Sequence, residues 1–81
     1  MDYNIHYDPK ALKQLQKQIA STILDEIEKY FKNPIQTKVR KLKTPFDGAY
    51  RLRVGDYRVI FYQEDDFMLI AKIAHRKQVY S

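Results

Sequence analysis

Apolar positions along this chain change period about halfway, from helical spacing to strict alternation. Tyr3 to Tyr7 is short and aromatic and predicts a first strand. Asp8-Pro9 supplies a helix N-cap followed by proline at the first helical position. Ala11, Leu12, Leu15 and Ile19 then recur at helical spacing, and beyond Ser21 so do Ile23, Leu24, Ile27 and Phe31. Two short helices in series are predicted, over 9–20 and 21–32. Asn33-Pro34 ends the second, because a residue before proline is pushed out of the helical region.

Residues 35–49 carry no clear period and read as a basic connection, with Lys38, Arg40, Lys41 and Lys43 close together and a turn over 44–48. Three strands follow, over 50–54, 57–63 and 67–74. Gly55-Asp56 reads as a two-residue hairpin loop, and Glu64-Asp65-Asp66 as the acidic turn of a second hairpin. The stretch from Phe67 to Ala74 is almost wholly apolar and predicts an interior strand. The fold class is therefore α+β, of order β-α-α-β-β-β, with an antiparallel sheet and the two N-terminal helices packed on one face.

Alternation assigns the two faces. Tyr50, Leu52 and Val54 share a side with Tyr57, Val59 and Phe61, and this apolar side is expected to receive the helices. Arg51, Arg53 and Arg58 then point the other way. A two-residue hairpin sets Arg53 directly opposite Arg58, with Arg51 a diagonal neighbour. Like charges opposed on a sheet are destabilising. Three guanidinium groups held together in spite of that point to an anionic ligand, and the fixed fork of arginine suits phosphate.

Charge placement strengthens this reading. The net charge is +5, yet residues 1–37 carry five lysines and five acidic residues, so the whole excess lies in residues 38–81. All five arginines, Arg40, Arg51, Arg53, Arg58 and Arg76, are in that half. A one-sided basic surface fits nucleic acid or an acidic partner. With 81 residues the chain is expected to form a single domain over 1–81. There is no cysteine and only two histidines, so no metal site and no cofactor are expected. The N-terminus has neither a basic nor an apolar signal region, and no apolar run approaches the roughly 20 residues of a membrane span. A soluble, cytoplasmic protein is expected.

The open face of the sheet is expected to hold Arg51, Arg53 and Arg58 with Tyr62, joined by His75, Arg76 and Tyr80 from the tail. Clustered arginines bind a phosphodiester and stabilise the extra charge of a pentacoordinate phosphorus. Neighbouring aromatic rings stack on unpaired bases. No carboxylate cluster accompanies them, so a two-metal nuclease is not indicated. If this face cleaves RNA, the metal-free route is attack by the ribose 2′-OH on its own phosphate. Histidine is the side chain suited by type to proton transfer, which makes His75 a candidate, and Tyr80 would need its pKa lowered by nearby cations. Lys38, Arg40, Lys41 and Lys43 read as an electrostatic approach surface.

The stretch Tyr50-Arg-Leu-Arg-Val-Gly-Asp-Tyr-Arg-Val-Ile-Phe61, followed by an acidic turn, an apolar strand and His75-Arg-Lys-Gln-Val-Tyr80, resembles the RelE/ParE superfamily of bacterial and archaeal toxins. Tyr7-Asp-Pro-Lys-Ala-Leu-Lys13 is similar to that family's entry into its first helix. The resemblance spans nearly the whole chain. It implies an endoribonuclease that cleaves mRNA in the ribosomal A site without metal, leaving a 2′,3′-cyclic phosphate and a 5′-OH. By position it implies phosphate-handling roles for Arg51, Arg53 and Arg58, a general-acid role for Arg76, and base stacking or proton transfer for Tyr80. It places Arg40, Lys41 and Lys43 toward ribosomal RNA, and it implies a cognate antitoxin with an acidic or amphipathic segment. RelE carries lysines where this chain has Arg51 and Arg53, which leaves the general base open between His75 and other groups. Two alternatives share the fold: a ParE-like toxin that inhibits DNA gyrase without catalysis, and an inactive binding module.

Overall fold

A computed structural model describes residues 4–13, 15–34, 36–43 and 46–78. In chain order the elements are β1 (Asn4–Tyr7), α1 (Pro9–Leu12), α2 (Lys17–Lys32), a 3-10 turn (Gln36–Lys38), β2 (Val39–Lys41), β3 (Ala49–Val54), β4 (Tyr57–Gln63) and β5 (Phe67–His75). The strands form one sheet in the order β1-β5-β4-β3-β2. Three pairings are antiparallel, while β1 lies parallel to β5 because the helical segment returns the chain across the sheet. The α+β class is as expected. The sheet is mixed rather than wholly antiparallel, and it has five strands rather than four.

The helix boundary departs from the sequence pattern. Asp8 does cap α1, its Oδ1 accepting the Lys10 N–H at 2.9 Å, with Pro9 just inside the helix. That helix ends at Leu12 after one turn, and α2 begins at Lys17 rather than at Ser21. Ser21 is exposed in the middle of α2, and Thr22 Oγ1 bonds back to the Gln18 carbonyl at 3.3 Å. Ile19, Ile23, Ile27 and Phe31 repeat every four residues straight through this point, and all four face the core. Burying an unbroken stripe outweighs the local capping preference of one serine.

The helices cover one face of the sheet. Ala11, Ile23, Ile27 and Phe31 pack with Leu52, Val59, Phe61, Met68, Ile70 and Ile73. Phe31 meets Phe61 edge-on at 5.3 Å, and Tyr50 stacks on Phe61 at 5.6 Å. The opposite face carries a small second cluster. Ala49 and Ile60 are buried there beneath Leu42, Phe46, Tyr62 and Ala74. Leu42 and Phe46, which follow β2, therefore lie over part of this face.

The β3–β4 hairpin closes through Gly55 and Asp56. Gly55 has φ +56, and no other residue type in the described chain takes a positive φ. A positive first and a negative second φ is the sign pattern of a type II′ turn, which matches the right-handed twist of the flanking strands.

An 81-residue domain has a total stability of about 4–12 kcal/mol. Ile27 is fully buried between α2 and the sheet. Ile27→Ala is expected to lower stability by about 2–5 kcal/mol, read as a fall in the urea unfolding midpoint at unchanged slope.

Candidate nucleic-acid interface

The hairpin register decides which side chains meet. Arg53 pairs directly with Arg58, Arg51 with Ile60, and Ala49 with Tyr62. Arg51, Arg53 and Arg58 thus share the face opposite the helices, as alternation predicts. Arg40 pairs directly with Arg51 across β2 and β3, so a fourth arginine joins them. The sequence pattern does not reveal this, since β2 is only three residues long and lies in a stretch without period.

Arg76 arrives from the other direction. Its backbone N–H donates to the Asp56 carbonyl at 2.8 Å, and its Nε stands 3.9 Å from Asp56 Oδ1. Both side chains are well exposed, so the ion pair itself contributes little. Its value is positional: the segment after β5 is tied to the tip of the β3–β4 hairpin, which brings Arg76 to the end of the face that holds Arg53 and Arg58.

Arg58 is the anchor of the group. Its Nη1 donates at 2.9 Å to the carbonyls of both Gly55 and Tyr57. The guanidinium is therefore aimed by the turn before any ligand arrives. Its pKa is held below the usual arginine value, first by partial burial and then by the charges of Arg51, Arg53 and Arg76, with Asp56 acting in the opposite sense. The Nε of Arg51 is also buried. Four arginine charges thus act on one another, a repulsion that any anion bound among them would relieve.

The other expected site residues do not all gather here. His75 pairs with Tyr57 and packs edge-on against its ring at 5.6 Å, on the helix-facing side. It lines a cavity of about 220 Å³ with Leu15, Gln16 and Ile19. The expectation that His75 shares the arginine face is corrected: Ala74 takes that side, opposite Arg58, and alternation sends the next residue to the other. His75 Nδ1 accepts the Lys77 N–H at 3.2 Å, so the imidazole shapes the turn that carries Arg76. Tyr80 lies outside the described residues.

The basic connection is likewise divided. Lys38 lines the cleft between α2 and β3, Lys41 pairs with Tyr50 on the helix side, and Lys43 is exposed before the turn at 46–48. Only Arg40 of the four joins the arginine face. His6 is found on that face too, at its far end, with its ring 4.7 Å from Phe67. Among the described residues no three His, Asp or Glu side chains gather as metal ligands, and no helix is long and apolar enough to cross a membrane.

The ParE toxin of the type II toxin–antitoxin system parDE provides a family model that matches residues 5–80. The chain belongs to this toxin family. Within the wider RelE/ParE superfamily, it is similar to the archaeal RelE–RelB complex from Pyrococcus horikoshii at 30% identity, covering 96% of this chain and 99% of that one, with a TM-score of 0.66. The RelB–RelE complex from Methanococcus jannaschii matches at 25% identity, 93% and 94% coverage and a TM-score of 0.65. The RelBE2 toxin–antitoxin complex from Mycobacterium tuberculosis shares the fold, with a TM-score of 0.77, 18% identity and 94% and 100% coverage. No curated protein matches the chain in sequence. The ParE-family toxin described here thus has the RelE-like sheet, with its arginines on the side away from the helices.

If the arginine cluster is held against its own repulsion, reducing it must help the fold. Arg53→Thr is expected to raise stability by a few tenths to about 1 kcal/mol. Added salt is expected to stabilise the wild type more than this variant, because screening weakens the same repulsion. Urea unfolding at low and high ionic strength measures both effects.

Proposed function

We propose that this toxin is a ribosome-dependent endoribonuclease that cleaves mRNA in the A site. The observation that carries the reading is the convergence of Arg40, Arg51, Arg53, Arg58 and Arg76 on one face, with Arg58 pre-aimed by two backbone carbonyls. Positive donors fixed in advance are suited to a phosphorus that gains negative charge. The ribose 2′-oxygen attacks the adjacent phosphorus and forms the new P–O bond. The bond to the 5′-oxygen of the next nucleotide breaks, leaving a 2′,3′-cyclic phosphate and a 5′-OH. One proton leaves the 2′-OH and one is delivered to the 5′-oxygen.

Arg51, Arg53 and Arg58 bind the phosphate and the charge that develops on it. Arg76, exposed at the rim, donates toward the leaving oxygen. Tyr80, a few residues further on, stacks on a base or assists proton transfer. His75 supports the turn that carries Arg76. Among the described residues no side chain that titrates near neutrality stands between the arginines, and arginine itself stays protonated. In this reading the programmed ribosome supplies the remaining geometry and the proton acceptor, which makes cleavage ribosome-dependent. The toxin's antitoxin is expected to present an acidic or amphipathic segment to the basic face.

The match to the ParE family favours a second reading, in which the chain binds DNA gyrase and catalyses nothing. Mapping mRNA 3′ ends in a translating extract, with and without antitoxin, separates the two. In-frame cuts at A-site codons are expected. Arg58→Ala and Arg76→Ala are each expected to slow cleavage about 10²-fold or more, the scale for removing one donor to a developing oxyanion. Growth arrest with intact mRNA and gyrase-dependent DNA breaks overturns the nuclease reading.

A further inference from the structure

The register of β5 contains an irregularity that moves one cation onto the arginine face. Phe61 pairs with Ile70, but the preceding residue of β4, Ile60, pairs with Lys72. Ala71 has no partner in this ladder and forms a bulge. In an unbroken strand Ala71 would oppose Ile60, and Lys72 would point at the helices. The bulge shifts the alternation by one residue, so Lys72 falls on the open face while Ile70 and Ile73 both stay in the core. Bulges commonly re-aim side chains in this way.

Lys72 then occupies a particular place. Across the sheet it stands in one row with Ile60, Arg51 and Arg40. It is the diagonal neighbour of Arg58, which pairs with Ala74, and such neighbours lie about 7–8 Å apart, within reach of long side chains. Along the sheet it lies between the arginine end and an aromatic end where Tyr62 pairs with Leu69 and Phe67 packs against His6. Among the described residues it pairs with no carboxylate. An amine on an interior strand, carried by a bulge to the face that bears the arginines, is placed to meet a ligand there.

We infer that Lys72 binds a backbone phosphate of single-stranded RNA next to the one held by Arg58, and so sets how the strand runs from the arginine end toward the aromatic end. This assignment rests on the endoribonuclease reading. Lys72 acts here as a positioning residue: it contacts a phosphate that does not react. Lysine is a point charge on a flexible stem, suited to holding a backbone without demanding one orientation.

Binding of an uncleavable single-stranded oligonucleotide, with 2′-deoxy sugars, by the full chain at several salt concentrations tests the inference. Lys72→Met keeps length and apolar stem while removing the charge, and Lys72→Arg restores it. Lys72→Met is expected to make the slope of log affinity against log salt shallower by about 0.7, the share of one phosphate contact on a single strand. The loss is expected to be the same for oligonucleotides of different sequence, and Lys72→Arg is expected to recover the wild-type slope. In cleavage assays Lys72→Met raises KM and leaves kcat near wild type, whereas Arg58→Ala lowers kcat. An unchanged salt slope in Lys72→Met, alongside a shallower one in Arg58→Ala, overturns the role of Lys72 and leaves the nuclease reading standing. A wild-type protein that does not bind the oligonucleotide also overturns the role of Lys72, while the nuclease reading stands or falls with the mapped mRNA ends.

Discussion

A two-residue turn at Gly55-Asp56 decides the side on which every residue of the central hairpin falls. Side chains alternate with a period of two, so a slip of one residue would exchange the two faces completely. With this turn Leu52 and Val59 face the helices, and Arg51, Arg53 and Arg58 face away. The same turn supplies the Gly55 carbonyl that aims Arg58 and the Asp56 groups that hold the segment carrying Arg76. Core, cation cluster and tail therefore meet at one backbone feature. The positive φ of Gly55 is what allows a connection this short.

The arginine face is a stored electrostatic conflict. Arg53 and Arg58 are directly opposed, Arg40 and Arg51 likewise, and each such pair works against the fold. The apolar core on the other face offsets it, with Ile23, Ile27, Leu52, Val59 and Ile70 all nearly or fully inaccessible to solvent. This division of labour is typical of functional sites, where one region is kept at a local disadvantage that the remainder of the structure tolerates. A ligand bearing phosphates removes the disadvantage, and so does a partner presenting carboxylates. One physical property thus serves both the proposed binding of RNA and the expected docking of an antitoxin.

The hairpins were the most readable part of the chain. Strict alternation from Tyr50 to Phe61 around Gly55-Asp56 carries strand, turn and face at once, and the observed register agrees residue for residue. The helix break was less readable, because Ser21 looks like a cap while the buried stripe runs on through it. A capping preference at one residue cannot show whether the next turn is buried. Strand β2 was illegible for a different reason: three residues have too little length to show a period, and its pairing with β3 is a long-range contact. His75 was assigned to the wrong face because a motif read along the chain does not count the alternation at the end of β5.

By itself, the sequence determined the class of the fold, the central hairpin and its two faces, and the identity of three arginines that share one of them. Those properties follow from local period and turn chemistry. Tertiary structure alone decided the rest. Pairing with β3 brought Arg40 opposite Arg51, docking on the hairpin tip brought Arg76 in, and packing against Tyr57 took His75 away. Most telling is Lys72. Ile70 and Ile73 are three apart, a spacing that no regular strand can bury on one side, and only the bulge at Ala71 reconciles them. Once the core required both, Lys72 had to join the arginines.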